Sequence, residues 1–124
     1  MAPMASKRRS GASGLDVSTS TTDGVAILSV SGTVDLLTAP DLARHIETAL
    51  AEAPRAVVVR LDDVDLLASS GLRVLIQAHR SAEPTRMIVV ADGPATSRPM
   101  EITGVHRIVP LYPTLDDGLA ALQE

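Results

Sequence analysis

Residues 61–75 read Leu61-Asp62-Asp63-Val64-Asp65-Leu66-Leu67-Ala68-Ser69-Ser70-Gly71-Leu72-Arg73-Val74-Leu75, and the passage from strand to helix within them decides the fold. Just upstream, Ala56 to Leu61 is apolar on successive residues before it meets Asp62-Asp63. Such a run suits a central strand covered on both faces. Downstream, Leu72, Leu75 and Ile76 share one face of a helix that ends near Pro84. The chain therefore leaves the carboxyl end of a strand and enters a helix at Ser69-Ser70.

The same alternation spreads in both directions. Towards the C-terminus, Met87 to Ala91 is a second buried strand. Pro94 to Thr103 is a short helix stopped by Gly104. Ile108-Val109-Pro110-Leu111 is a final short strand, placed at an edge or an end by Pro110. Thr114-Leu115-Asp116-Asp117 opens a last helix with Leu115, Leu119 and Leu122 inward. Towards the N-terminus, Thr38-Ala39-Pro40-Asp41 is a helix start in which Thr38 can cap and Asp41 sits where a capping-box acid would. Leu42, Ile46, Ala49 and Leu50 continue that helix until Pro54 ends it. Before it, Val25 to Ser31 is a strand, joined through the turn Thr22-Asp23-Gly24 to an antiparallel partner at Asp16 to Ser20. The predicted order is β-β-α-β-α-β-α-β-α. That is an α/β fold with a mixed, mostly parallel sheet of about five strands and about four helices. Residues 1–14 read as a disordered, Ser/Gly/Ala-rich tail, and residues 15–124 as one domain.

Composition narrows the function. The 124 residues are 45% apolar but include no Phe, no Trp and one Tyr, so the core is aliphatic. Base-stacking platforms for nucleic acid are excluded for want of aromatics. The absence of cysteine excludes disulfide scaffolds, Cys-ligated zinc and thiol catalysis. The net charge is −4, but Lys7, Arg8 and Arg9 sit in the tail, and the rest balances to −7. An acidic body repels phosphate backbones, so no nucleic acid partner is expected. The apolar runs are too short to cross a bilayer, and the basic tail lacks the apolar stretch of a secretory signal; a cytoplasmic protein is expected.

Enzyme signatures are missing. There is no GxGxxG, no GxxxxGK[ST] and no HExxH. His45, His79 and His106 fall on different elements, and Asp62/Asp63 and Asp116/Asp117 read as loop and helix-start residues. No catalytic set, metal site or cofactor is expected. A phospho-accepting receiver needs a supporting lysine, and the only lysine is Lys7.

The serine junction carries the function. Four backbone N–H groups at a helix start lack helical partners. One reading is an N-cap serine that satisfies one of them. The other is a phosphorylatable serine: phosphate brings about −1.5 to −2 charge, which a helix start stabilises by roughly 0.3–1 kcal/mol. The domain tolerates that charge, whereas a partner pressed against it does not.

Here the sequence resembles the STAS domain of bacterial anti-sigma factor antagonists. The family pattern D-[ST]-[ST]-G-L is approached by Ala68-Ser69-Ser70-Gly71-Leu72. Upstream, G-x-[LV]-D-x-x-[TN]-[AV] is matched by Gly32-Thr33-Val34-Asp35-Leu36-Leu37-Thr38-Ala39. Downstream, Ile102 to Tyr112 matches a third family segment, and the likeness runs through residues 15–123. The resemblance implies a protein that binds an anti-sigma factor, itself a serine kinase of the histidine-kinase-like ATPase type, and so releases a sigma factor. Phosphorylation by that kinase ends binding, and a PP2C-type phosphatase restores it. It makes Ser69 the phospho-acceptor with Ser70 as runner-up, and Asp35, Ser69, Ser70, Gly71 and Val74 the partner-binding set. Val74 is expected to be exposed beside the serine. Ala68 departs from the pattern, since the family usually has Asp there. The departure favours a second reading, a STAS scaffold or adaptor that is never phosphorylated.

Overall fold

The computed structural model describes residues 8–9 and 14–123. Strands β1 (Arg8–Arg9), β2 (Leu15–Thr22), β3 (Val25–Val34), β4 (Ala56–Leu67), β5 (Arg86–Val90) and β6 (Leu111–Tyr112) form one sheet in chain order. Helices α1 (Ala39–Ala51), α2 (Ser69–Ala82), α3 (Ser97–Thr103) and α4 (Leu115–Leu122) complete the fold. The first two pairings are antiparallel and the remaining three parallel. The expected element order is thus present, with β1 added at the edge opposite Asp16 and Val17. The rest of the expected N-terminal tail before Gly14 lies outside the described residues.

Local chemistry explains the joints. Asp23 and Gly24 both take positive φ (52° and 81°), the geometry of a two-residue hairpin loop between right-twisted strands. Gly104 stops α3 in the left-handed region at φ 83°. Each strand of the central sheet feeds both of its faces. Leu28, Val57, Val59, Met87 and Val89 meet Leu42, Ile46, Leu72 and Leu75 of α1 and α2 in the larger core. Val25, Ile27, Ala56, Val58, Ile88 and Val90 meet Leu122, Leu119 and Leu115 of α4 on the opposite face. That double burial is why Ala56 to Leu61 lacks alternation.

Several boundaries differ from the sequence reading. β4 runs on to Leu67, so Asp62 and Asp63 are strand residues rather than loop residues. Leu61, Val64 and Leu67 still turn to the core, and two register shifts against β3 let the strand carry its exposed carboxylates past them. The last strand starts at Leu111, three residues later than expected. Val105–Arg107 is a short 3-10 turn, Val109 N bonds back to Val105 O, and Pro110 has no N–H to give the ladder. α3 opens at Ser97, after a turn at residues 94–96. Thr38 precedes α1 but does not cap it with its side chain. No helix among the described residues is long and apolar enough to cross a membrane.

Candidate functional site

The site lies where β3 and β4 end side by side. Val34 and Leu67 are the last register partners, and the Ala68 N–H donates to Val34 O at 2.9 Å. One residue beyond Val34 comes the loop Asp35–Thr38. One residue beyond Ala68 comes Ser69, the first residue of α2. The parallel pairing therefore brings the segments that carry Asp35 and the serines to the same end of the sheet.

Asp35 shapes its loop. Its Oδ1 accepts from Leu37 N (3.0 Å) and Thr38 N (3.1 Å). Thr38 Oγ1 accepts from Asp35 N at 2.9 Å and donates to Thr33 O at 2.7 Å. Thr38 is fully buried, which is why its hydroxyl serves this loop and not the start of α1. The loop is an Asx turn locked from both ends.

The two serines are not equivalent. Ser69 is exposed, whereas the Ser70 Oγ is buried and has no hydrogen-bond partner. Gly71 is buried, and a Cβ there would stand 2.5 Å from Val34 Cγ1 and 2.7 Å from Leu67 Cδ1. The glycine lets the first turn of α2 lie directly on the strand ends, so it packs rather than touches a partner. Val74 is half-buried against the core, not exposed as expected, because α1 lies alongside α2. It lines a shallow groove with Ala43, Glu47, Leu50, Gln77 and Ala78.

Ala68 occupies the N-cap position in extended conformation (φ −81°, ψ 171°), and α2 has no side-chain cap. An acceptor side chain there would reach the N–H groups of the first turn. Ala68→Asp is expected to raise stability by about 1 kcal/mol, seen as a later midpoint in urea unfolding. An unchanged midpoint would show that those N–H groups are already satisfied.

Sequence reasoning missed the strongly exposed leucines. Among the described residues Leu36 and Leu37 are 78% and 81% exposed, Ile102 of α3 is 72% exposed, and Leu66, the register partner of Thr33 on β4, is 50% exposed. The signal was present: two leucines fill the gap between the motif residues Asp35 and Thr38. Asp62, Asp63 and Asp65 are exposed along the end of β4; Arg60 Nε donates to Asp62 Oδ2 at 2.6 Å, and Thr33 Oγ1 donates to Asp65 Oδ1 at 2.9 Å. The histidines are dispersed. His45 Nδ1 lies 2.8 Å from Asp41 O, and His106 Nδ1 lies 3.2 Å from Met100 O. Among the described residues no group of three His, Cys, Asp or Glu side chains is placed to hold a metal ion.

Comparison with known proteins agrees with this fold. The family profile described as the STAS domain matches residues 16–118. The anti-sigma-F factor antagonist RsfB of Mycobacterium tuberculosis is 35% identical over 102 residues, covering 82% of this chain and 84% of its own. The crystal structure of an anti-sigma factor antagonist from Mycobacterium paratuberculosis superposes with a TM-score of 0.86 at 40% identity, covering 94% of this chain and all of that one. The Bacillus cell fate determinant SpoIIAA in its phosphorylated form shares the fold at a TM-score of 0.63 and 15% identity, over 86% of this chain and 98% of its own.

Proposed function

The chain belongs to the STAS domain family, and we propose that it acts as an anti-sigma factor antagonist controlled by phosphorylation of Ser69. The single observation that carries the switch is the contrast between the serines. Ser69 stands exposed at the entrance to α2, while the Ser70 hydroxyl is sealed. A kinase reaching this corner meets one nucleophile.

In this reading the unphosphorylated surface docks on a cytoplasmic anti-sigma factor, which lets go of its sigma factor. The partner is a serine kinase of the histidine-kinase-like ATPase type. The Ser69 Oγ attacks the γ-phosphorus of the partner's ATP. The Oγ–P bond forms, the bond to the β,γ-bridging oxygen breaks, ADP leaves, and the hydroxyl proton passes to a base of the kinase. The antagonist contributes only the acceptor and its position and is no enzyme itself. The new dianion then stands on the docking surface, where a charge pressed against the partner's acidic or apolar surface is costly, and the complex falls apart. The start of α2 stabilises the phosphate in the free antagonist. A PP2C-type phosphatase hydrolyses the ester and restores docking.

Ala68 favours the second reading, a scaffold that is never phosphorylated. It removes the carboxylate that the family usually presents beside the acceptor. Incubation with the host's purified anti-sigma kinases and ATP, followed by intact mass, separates the two. Wild type and Ser70→Ala are expected to gain one phosphoryl group, and Ser69→Ala none. No gain by wild type with a kinase that binds it would establish the scaffold.

A further inference from the structure

We infer that Leu36 and Leu37 are the apolar anchor by which this chain selects its anti-sigma factor, and that the matching partner surface is an apolar pocket with basic residues on the side that meets the end of β4. The inference rests on the proposed function and adds the chemistry of the contact.

The leucine pair is exposed without being loose. Asp35 and Thr38 supply the side-chain hydrogen bonds that shape the loop, and Thr38 is fully buried. The leucine side chains take no part in that frame. They are held out in a fixed position, so docking requires little further ordering of the loop, which is what a binding anchor needs. They can also be exchanged without changing the loop's shape, which is what a specificity element needs. Leu66, the register partner of Thr33, adds a half-exposed leucine near the end of β4, and the Ala68–Val34 hydrogen bond ties the residue before Ser69 to the strand that leads into the leucine loop. Few side chains release more free energy on leaving water than a leucine that starts almost fully exposed.

Charge identifies the other half of the contact. Asp62, Asp63 and Asp65 stand exposed on the stretch of β4 that runs up to Ala68, with Arg60 paired to Asp62; Arg73 lies one turn into α2. The surplus is negative, so a second copy of the chain would bring like charges together. A partner with lysines or arginines facing the end of β4 would not.

The test is titration of the host's purified serine-kinase anti-sigma factors with wild type, Leu36→Ser/Leu37→Ser and Asp62→Asn/Asp63→Asn, at low and high salt. The leucine variant is expected to lose at least a hundredfold in affinity with an unchanged melting temperature. The asparagine variant is expected to bind more weakly at low salt and to show a flatter salt dependence. Wild-type affinity in the leucine variant overturns the anchor while leaving the proposed function standing. A dimeric wild type that the leucine variant converts to monomer assigns the patch to a second copy and also overturns it. Failure of wild type to bind any anti-sigma factor removes the proposed function and the anchor together.

Discussion

Ser69→Asp is expected to bind the anti-sigma factor at least a thousandfold more weakly than wild type while melting no earlier. A thousandfold loss corresponds to about 4 kcal/mol. The affinity loss and the retained stability arise from opposite sides of one charge. On the inside, the carboxylate sits at the first residue of α2, where the helix dipole contributes roughly 0.3–1 kcal/mol in its favour. On the outside, in the proposed complex, it is pressed against the partner's surface, where an unpaired charge costs several kcal/mol. Ser69→Ala removes only an exposed hydroxyl and is expected to bind as wild type does. Calorimetric titration of both variants, beside their thermal melts, checks the pair. Equal affinity for Ser69→Asp and wild type would refute a charge-operated switch.

The second large effect is on folding. Gly71→Val is expected to destabilise the domain by about 3 kcal/mol, lowering the melting temperature by roughly 10–15 °C. The added Cβ alone would lie 2.5 Å from Val34 Cγ1 and 2.7 Å from Leu67 Cδ1. Both neighbours are buried at the ends of paired strands, so their side chains have little room to yield. The rest of the strain falls on the start of α2, which carries Ser69. Gly71→Ala meets the same clash but regains up to about 1 kcal/mol of helix propensity, so its loss is smaller. Valine, stiff at its branched Cβ, regains less of it and adds two methyl groups to the clash. A melt of Gly71→Val within a few degrees of wild type would show that the helix can shift freely, and the tight seat described here would be wrong.

Much of this architecture was legible in the sequence. Ala56–Leu61 and Met87–Ala91 announced strands buried on both sides, and Pro40, Gly104 and Thr114 marked helix ends through backbone chemistry that acts locally. The Thr114 hydroxyl accepts from Asp117 N, as a cap should. What escaped depends on distant partners. The length of β4 is set by pairing with β3 as far as Val34, which no feature of Asp62-Asp63 reveals. The absence of a Thr38 cap follows from Thr33 O and Asp35 competing for the same hydroxyl. At the candidate site the motif placed Asp35 and the serines together. Only the packing of α1 against α2 half-buries Val74, and only the fold separates the reachable Ser69 from the sealed Ser70. Leu36 and Leu37 carried no assignment in the sequence, because only the folded Asx turn shows that they stand exposed.

The bond from Ala68 N–H to Val34 O and the seat of Gly71 on Val34 and Leu67 tie the leucine loop and the serine's helix to the same two strand ends. An arrangement so tied has little means of turning a chemical mark into movement. Regulation must then be written on the outer skin of the molecule and read there by touch, so the marked and unmarked forms should share one silhouette and differ only in the electrical character of a single corner.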